Sequence, residues 1–415
     1  MKWVDHSIWW HVYPLGFTGA PIRSENRGEK DWASTRFPQL SDWLDYLTGL
    51  GCNGLLLGPI FTSTSHGYDS VNQFQIDPRL GTEHDFAELV SRCKEKGVRI
   101  VLDGVFSHVG VKHPMLVTAL KAGPESVEGR LFDINWDGSD GPEPRVWEGH
   151  GNLVRLNHAN VEARDYAVSV MKYWLERGID GWRLDAAYSV STEFWTNVLS
   201  RVRSDFPDAW FLGEVIHGNY AAFVEESTVD SLTQYELWKA IWSSLLDDNL
   251  FELDWTLKRN NEFLETFTPN TFIGNHDVTR IATTVGAKKS IVAFVVLMTV
   301  GGIPSIYYGD EQGFTGEKIE DWSGDDAIRP PMPPLPEDLL PYGAEHQRAY
   351  QELIALRRRH PWLVNAQTET LKIENTKMHY RTTERGGESS IDVRIDLENS
   401  PSVEVFGDGD LLWSH

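Results

Sequence analysis

Cysteine is scarce in this chain, and its scarcity limits how the fold can be held together. Two cysteines occur among 415 residues, Cys52 and Cys93, and neither belongs to a metal-ligand spacing. Cys93 lies on the apolar stripe of a predicted helix, so two reduced and buried thiols are expected rather than a disulfide. We therefore expect a hydrophobic core, and not a metal or a disulfide framework, to stabilise the protein.

Positive charge and long apolar runs are also scarce. The 38 Lys and Arg residues against 61 Asp and Glu residues give a net charge of -23, which would repel nucleic acids and anionic membranes. No run of 18 or more apolar residues is present to span a membrane. The N-terminal residues do not form a signal peptide in the sequence as given. We expect a cytoplasmic protein with a neutral partner, and make no prediction of its oligomeric state.

A repeating pattern of strand, loop and helix runs along most of the chain. In one copy, Thr82 and Asp85 form a predicted capping box for a helix that is followed by an apolar strand at 98–102. In another, Asn160 is the predicted N-cap of an amphipathic helix that precedes a strand at 181–185. Such alternation is typical of parallel α/β architecture.

Eight strands are predicted in this way, and their number favours one fold over another. They lie at 10–13, 54–57, 99–102, 182–184, 210–212, 232–234, 271–273 and 303–307. An open, doubly wound sheet is the alternative, but eight strand–helix units favour a closed (β/α)₈ TIM barrel.

Two segments depart from the alternation. Residues 107–157 follow the third strand, carry Gly, Pro and Asp without clear helical periodicity, and are predicted to form an inserted subdomain. The segment 361–415 is predicted to be a small antiparallel β domain because apolar and charged residues alternate near its centre. The barrel would then comprise residues 1–106 and 158–360.

Carboxylates end three of the predicted strands. Asp185 follows the fourth strand, Glu214 the fifth and Asp277 the seventh. Active sites of such barrels lie at the C-terminal ends of the strands, and glycosidic bond cleavage uses two carboxyl groups, which are about 5 Å apart in a retaining enzyme. A single Asp or Glu at such a position is more often a helix cap or a loop anchor. Three of them, with Arg183 and two histidines beside them, favour a hydrolytic site.

Short segments around these residues resemble the conserved regions of the α-amylase family of glycoside hydrolases (family thirteen). The resemblance extends from about residue 8 to residue 360, in the family's order. It is carried by residues 13–17, 66–70, 103–108, 181–187, 213–216, 272–277 and 302–311.

The resemblance implies a retaining mechanism with one role for each carboxylate. Asp185 would be the nucleophile, and Glu214 would be the acid and then the base. Asp277 would bind sugar hydroxyls and favour the distorted transition state. Arg183 lies two residues before the nucleophile on the same face of its strand, so its charge is expected to keep Asp185 ionised.

The resemblance also implies a set of sugar-binding residues. His108 and His276 match residues that hydrogen-bond the sugar at the cleavage position, and Tyr68 matches an aromatic platform beneath it. Asp69 and Arg280 match a pair that closes the far side of that position, although bracing of a loop is an equal alternative for Asp69.

Residues 152–157 resemble the family's fifth region as found in the neopullulanase and cyclomaltodextrinase branch, which acts on oligosaccharides, cyclodextrins and pullulan.

Elsewhere the chain departs from the family. Ser107 replaces an Asn that ligates calcium, so no metal and no other cofactor is expected. Tyr188 and Ser189 replace a Lys–His pair, and Tyr188 is predicted to stack on the reducing-end side. Trp136 and Trp147, in the inserted segment, are candidates for overhanging the cleft.

The sequence therefore predicts a retaining hydrolase that cleaves α-1,4 bonds in maltooligosaccharides, cyclodextrins or starch. A transglycosylase and an α-1,6-acting hydrolase of the same family are alternatives, because both would use the same carboxylates. A non-catalytic, amylase-like binding protein is a remote alternative, since all three carboxylates are present.

Overall fold

Eight parallel strands form the centre of the molecule. The computed structural model describes residues 2–23, 33–321 and 324–415. The central strands are β1 Trp9–Val12, β2 Gly54–Leu57, β3 Arg99–Val105, β4 Gly181–Asp185, β5 Trp210–Gly213, β6 Ser231–Leu232, β7 Asn270–Thr271 and β8 Ile303–Tyr307. They neighbour one another in the order β6-β5-β4-β3-β2-β1-β8-β7. A parallel bridge between Thr233 and Asn270 joins the two outer strands, so the sheet closes and the predicted TIM barrel is confirmed.

The sixth and seventh strands are shorter than predicted and begin one residue earlier. In β7, Thr271 pairs with Pro304 of β8, and proline has no N–H with which to continue the ladder. After β6, Gln234 is already the N-cap of the helix that begins at Tyr235. Both strand ends are thus fixed by neighbouring residues rather than by their own apolar character.

Most of the helices surround the barrel. The helices are α1 Pro14–Phe17, α2 Phe37–Asp42, α3 Leu44–Leu50, α4 Glu83–Glu95, α5 Pro114–Ala122, α6 Val127–Leu131, α7 Val161–Glu176, α8 Thr192–Arg203, α9 Tyr220–Ser227, α10 Tyr235–Leu246, α11 Phe251–Phe263, α12 Ile281–Val285, α13 Ala287–Thr299 and α14 Ala344–Arg359.

Two of these helices test the predicted caps. At the start of α4, the Thr82 backbone N–H donates to Asp85 (2.7 Å) and the Asp85 N–H donates to Thr82 Oγ1 (3.3 Å), so the capping box is confirmed. Asn160 does occupy the N-cap position of α7, but its side chain makes no cap there. It donates instead to the Arg130 carbonyl at 2.8 Å, which ties the start of α7 to the end of α6.

The segment between β3 and α7 has helices and strands of its own. Strands His108–Gly110, Val146–Trp147 and His150–Arg155 form a small sheet with the last of them in the centre. The expectation that this segment lacks helical periodicity is wrong for α5, which starts at Pro114 and buries Leu116 and Ala119. Proline is well tolerated in the first turn of a helix, where its missing N–H has no partner to lose.

The C-terminal strands form a five-stranded antiparallel meander. They are β9 Gln367–Ile373, β10 Lys377–Thr383, β11 Ser390–Asp396, β12 Ser402–Gly407 and β13 Asp410–Ser414. The predicted alternation is confirmed, because Ile391, Val393 and Ile395 are all buried. These residues belong to the same hydrophobic core as the barrel helices. Tyr380 and Thr299 of α13 share a buried hydroxyl hydrogen bond of 2.6 Å.

Both cysteines are buried free thiols, as expected. Among the described helices, none combines the length and the apolar character needed to cross a membrane.

Candidate active site

The two catalytic candidates follow neighbouring strands in register. Leu184 of β4 pairs with Gly213 of β5, and the Glu214 backbone N–H donates to the Leu184 carbonyl at 3.0 Å. Asp185 and Glu214 are therefore at equivalent positions at the C-terminal mouth of the barrel. Parallel strand pairing places the two side chains over the same opening.

One guanidinium contacts both of these carboxylates and a third one. Arg183 Nη1 lies 3.2 Å from Asp185 Oδ1, and Nη2 lies 2.5 Å from Glu214 Oε1. Arg183 Nη1 also lies 2.6 Å from Asp103 Oδ2 on the adjacent strand β3. Arg183 and Asp185 share a face of β4 because side chains alternate along a strand. The structure thus brings Asp185 and Glu214 together around one buried cation.

Asp277 joins the same site from β7. Its carboxylate contacts His276 Nε2 at 3.0 Å, and its backbone N–H donates to Asn275 Oδ1 at 2.9 Å. The Asn275 amide donates to the Tyr235 hydroxyl (2.9 Å), which donates to Glu214 Oε1 (3.1 Å). A continuous set of hydrogen bonds therefore connects the loop of Asp277 with Glu214.

Tyr68 and the two predicted histidines surround this cluster. The rings of Tyr68 and His276 are parallel with centroids 5.4 Å apart, and the Tyr68 hydroxyl bonds to His276 Nε2 and donates to Asp103 at 3.0 Å. His108 Nε2 bonds to the Tyr68 carbonyl at 3.1 Å. Burial lowers the pKa of His108 to about 4, so its ring is neutral near pH 7.

The predicted pair of Asp69 and Arg280 is not formed. Asp69 instead accepts hydrogen bonds from the backbone N–H (3.1 Å) and hydroxyl (2.7 Å) of Ser65, so it braces its own loop. Arg280 is buried behind β8, where it pairs with Asp310 at 2.8 Å and donates to the Ile328 carbonyl at 3.0 Å. Asp69 and Arg280 therefore do not pair with each other, and the loop-bracing alternative describes Asp69. Their contact with the sugar stays a prediction.

Arg329 contacts the site and was missed from the sequence. Its Nη2 lies 3.0 Å from Asp277 Oδ1 and 2.9 Å from Asp325 Oδ2, and its Nε donates to the His276 carbonyl at 2.8 Å. Arg329 lies in the irregular segment after β8. Because every such loop reaches the C-terminal edge of a barrel, a lone arginine there is the signal that could have identified it.

Tyr188 and Trp147 lie at the edge of the cluster. Tyr188 follows β4 and has its ring 5.7 Å from that of His217, which is three residues beyond Glu214. The Trp147 indole N–H donates to Ser189 Oγ at 3.2 Å, and its ring lies 4.6 Å from that of His108. The segment between β3 and α7 therefore does reach over the barrel mouth through Trp147.

Burial and the shared cation set the charges at the mouth. Burial, followed by the neighbouring charge of Glu214, raises the pKa of Asp185 well above its usual range, although Arg183 acts in the opposite direction. Arg183 thus favours the ionised form of Asp185, as expected, but its charge is shared with Asp103 and Glu214. Burial would also raise the pKa of Asp277, but His276, Arg329 and Arg183 together hold it well below its usual range.

Ser107, on which the expectation of no calcium depends, is hydrogen-bonded to the neighbouring histidine. Ser107 Oγ lies 2.8 Å from His108 Nδ1, so the hydroxyl that replaces an asparagine carbonyl is already engaged with a ring nitrogen. Hard cations prefer carbonyl and carboxylate oxygens. Across residues 2–23, 33–321 and 324–415, no group of three or more His, Cys, Asp and Glu side chains is arranged to hold a metal ion.

A closed (β/α)₈ barrel with paired carboxylates at its mouth is the arrangement of many glycoside hydrolases. Comparison with known proteins identifies the family within this class of enzymes. Residues 39–333 match the family described as α-amylase, catalytic domain. The chain therefore belongs to the α-amylase family, as its short motifs indicated.

Two relatives illustrate the sequence similarity. A cyclomaltodextrinase of Geobacillus thermopakistaniensis (strain MAS1) is 29% identical, over 96% of this chain and 70% of its own length. An intracellular maltogenic amylase of Bacillus subtilis is 30% identical, over 76% of this chain and 57% of its own length. The chain thus spans only part of both relatives.

A solved structure matches the whole chain. The cyclic α-maltosyl-(1→6)-maltose hydrolase from Arthrobacter globiformis, in its ligand-free form, gives a TM-score of 0.83 with 23% sequence identity. The match covers 100% of this chain and 99% of that one. At this identity the similarity concerns the fold.

Proposed function

We propose that the protein is a retaining α-glucan hydrolase that cleaves α-1,4-glucosidic bonds in maltooligosaccharides, cyclodextrins or starch. The observation that carries this proposal is the contact of Asp185 and Glu214 with the same Arg183 guanidinium, at 3.2 and 2.5 Å. Glycosidic bond cleavage requires two carboxyl groups that act on the same bond, and the shared guanidinium brings these two to one place. The retaining course, with its double displacement, is inferred from membership of the α-amylase family. The names of the cyclomaltodextrinase and maltogenic amylase relatives support the choice of α-glucans.

In the first step, Glu214 gives its proton to the glycosidic oxygen while Asp185 attacks the anomeric carbon. The bond to the leaving sugar breaks, and an ester between Asp185 and the glucosyl unit forms. In the second step, Glu214 takes a proton from water, the water oxygen attacks the anomeric carbon, and the ester bond breaks. Both carboxyl groups then regain their starting states.

The other residues of the site bind and orient the sugar. Asp277, with a pKa well below its usual range, offers a carboxylate to two sugar hydroxyls. The neutral ring of His108 and the ring of His276 donate or accept hydrogen bonds, and the half-buried ring of Tyr68 packs against the sugar face. We expect Tyr188 to stack on the sugar at the reducing-end side and Trp147 to overhang the cleft.

Replacement of the nucleophile tests this proposal directly. Asp185→Asn retains the shape of the side chain but removes its nucleophilic oxygen, so we expect kcat on maltoheptaose to fall by about 10³-fold or more. Asp208→Asn is a matched control, because Asp208 is exposed in the loop before β5. Near-normal turnover by Asp185→Asn would contradict the assignment.

The products distinguish hydrolysis from the two related reactions. Chromatography after incubation with maltotriose, β-cyclodextrin, pullulan and isomaltose gives the linkage that is cleaved. Hydrolysis predicts glucose and maltose from maltotriose, whereas early formation of longer oligomers would identify a transglycosylase. Release from isomaltose alone would identify an α-1,6-acting enzyme.

We also propose that activity needs no calcium, because Ser107 is hydrogen-bonded to His108 rather than free to bind a cation. Turnover of maltoheptaose should persist within about twofold after treatment with EDTA and gel filtration. Loss of activity that added calcium restores, and magnesium does not, would overturn this.

A cytoplasmic location is proposed as well. Its support is the relatives whose names describe them as intracellular. Fractionation of the source cells, followed by detection with an antibody, would test it.

A further inference from the structure

A cavity of about 490 Å³ opens beside Asp277 and shares that residue with the candidate active site. We call it the tryptophan cavity. On one side it is lined by Trp238 and Trp242 of α10, and on the other by Thr284, Lys318 and Glu320.

The spacing of aromatic residues on α10 aims one face of this helix at the cleft. Tyr235, Trp238 and Trp242 are three and seven residues apart, so they share a side of the helix. Tyr235 begins this stripe at the reacting groups, since its hydroxyl donates to Glu214 at 3.1 Å. The Trp238 ring lies 5.7 Å from that of Tyr235, and the Trp242 ring 5.9 Å from that of Trp238. The stripe therefore extends from Glu214 outward along the cavity.

The two indoles are only partly covered by protein. Trp238 and Trp242 are half-buried, unlike the fully buried Trp10, Trp174 and Trp182 of the core. Phe272 lies nearly parallel to Trp238 with ring centroids 6.4 Å apart, which supports the indole from within the protein. The remaining indole surface lines the cavity.

The cavity combines aromatic surface with polar groups. Lys318 and Glu320 are exposed at its rim, where they offer hydrogen-bond donors and acceptors. Indole rings pack against the C–H faces of sugars, and polar side chains at the rim match the hydroxyl groups. A pyranose ring presents both kinds of surface, and the shared Asp277 makes the cavity continuous with the place where a sugar is held.

We propose that the tryptophan cavity binds a glucosyl unit of the α-glucan beyond the two units that flank the cleaved bond. This inference rests on the proposed function and makes Trp238 and Trp242 determinants of substrate size. Longer or branched α-glucans, which can place a unit in the cavity, are then favoured over maltose-sized ligands.

Binding to an inactivated enzyme tests the proposal without turnover. Affinities of maltose and maltoheptaose are measured by isothermal titration calorimetry on Asp185→Asn protein, with and without Trp242→Ala. We expect the ratio of maltoheptaose affinity to maltose affinity to fall about tenfold when Trp242→Ala is added. Trp242 is preferred to Trp238 because Trp238 touches Tyr235 and thereby Glu214. Trp255→Ala is the control, since Trp255 is 62% exposed on α11 and does not line the cavity.

A second variant keeps the test decisive if Trp242→Ala does not fold. Thr284→Phe fills the cavity from the opposite side and should lower the same affinity ratio, with circular dichroism confirming the fold. Equal weakening of both ligands, or an equal fall with Trp255→Ala, would overturn the cavity assignment and leave the proposed function intact. If wild-type protein cleaves no α-glucan and Asp185→Asn protein binds neither sugar, both proposals are overturned.

Discussion

Two clusters of buried charge lie near the C-terminal end of the barrel, and they differ in how many carboxylates each arginine contacts. At the mouth, Arg183 contacts Asp103, Asp185 and Glu214. Behind β8, Arg280 pairs with Asp310 at 2.8 Å and also donates to the carbonyls of Tyr308 and Ile328.

The comparison shows that a perturbed pKa is not enough to identify a reactive site. Burial raises the pKa of Asp310 to about 6 despite its partner Arg280, and it raises that of Asp185 as well. The two clusters differ in composition. Behind β8 one arginine pairs with one carboxylate, which is typical of a structural ion pair. At the mouth one arginine contacts three carboxylates, so these carboxylates compete for its charge and for protons. Only the second arrangement adjoins the cleft.

Of the changes that test this comparison, replacement of the cation at the mouth is expected to have the largest effect. In Arg183→Lys the single ammonium cannot reach Asp103, Asp185 and Glu214 together, because the planar fork of donors is lost. We expect kcat on maltoheptaose to fall by about 100- to 1,000-fold, comparable with loss of a key electrostatic contact. Steady-state kinetics on folded protein would measure it, and a decrease below about fivefold would contradict the importance of the shared guanidinium.

Loss of Arg280 from the cluster behind β8 should lower the stability of the protein rather than its turnover. Arg280→Ala leaves Asp310 buried without its partner, which costs about 3 kcal/mol of unfolding free energy. Because neither Arg280 nor Asp310 contacts Asp185 or Glu214, kcat well below the melting temperature should change by less than about fivefold. Urea denaturation and kinetics on the same preparation measure the two quantities. A collapse of kcat without loss of stability would erase the distinction between the clusters.

The smallest effect concerns pH and the glutamate next to Asp310. Burial raises the pKa of Glu311 from 4.5 to about 7, so the folded protein binds a proton that the unfolded chain releases. The associated stability is present below pH 4.5 and is lost as pH rises through about 7. Glu311→Gln removes this loss, so its unfolding free energy relative to wild type should increase between pH 5 and pH 8.

The increase is limited to about 3 kcal/mol, since each pKa unit corresponds to about 1.4 kcal/mol. Urea denaturation at several pH values measures it. Glu225→Gln is the control because Glu225 is exposed on α9. A pH-independent difference between Glu311→Gln and wild type would show that Glu311 does not titrate in this range.

Much of the barrel could be predicted because its signals are local. The capping box of Thr82 and Asp85, the buried stripe of α4 and the apolar strands each depend on residues close in sequence. Strand ends were less predictable: β7 stops where Thr271 meets Pro304, a residue more than 30 positions away. The side-chain cap by Asn160 failed for the same reason, since its amide binds the distant Arg130 carbonyl.

The same distinction between local and long-range signals applies to the residues of the candidate site. Asp185, Glu214 and Asp277 could be placed at one mouth because each follows a strand, and parallel strands end together. Arg329 was missed because it comes from an irregular segment whose path the sequence pattern does not specify. Asp69 and Arg280 were paired by resemblance, although their partners are Ser65 and Asp310.

By itself the sequence determined the strand and helix order, the chemical groups at the strand ends and the acidic surface, since each follows from residue type and short-range periodicity. The tertiary structure alone decided how those groups share protons and charge. Three carboxylates come to surround one guanidinium only when β3, β4 and β5 lie side by side, and a pKa depends on burial and on neighbours that are distant along the chain.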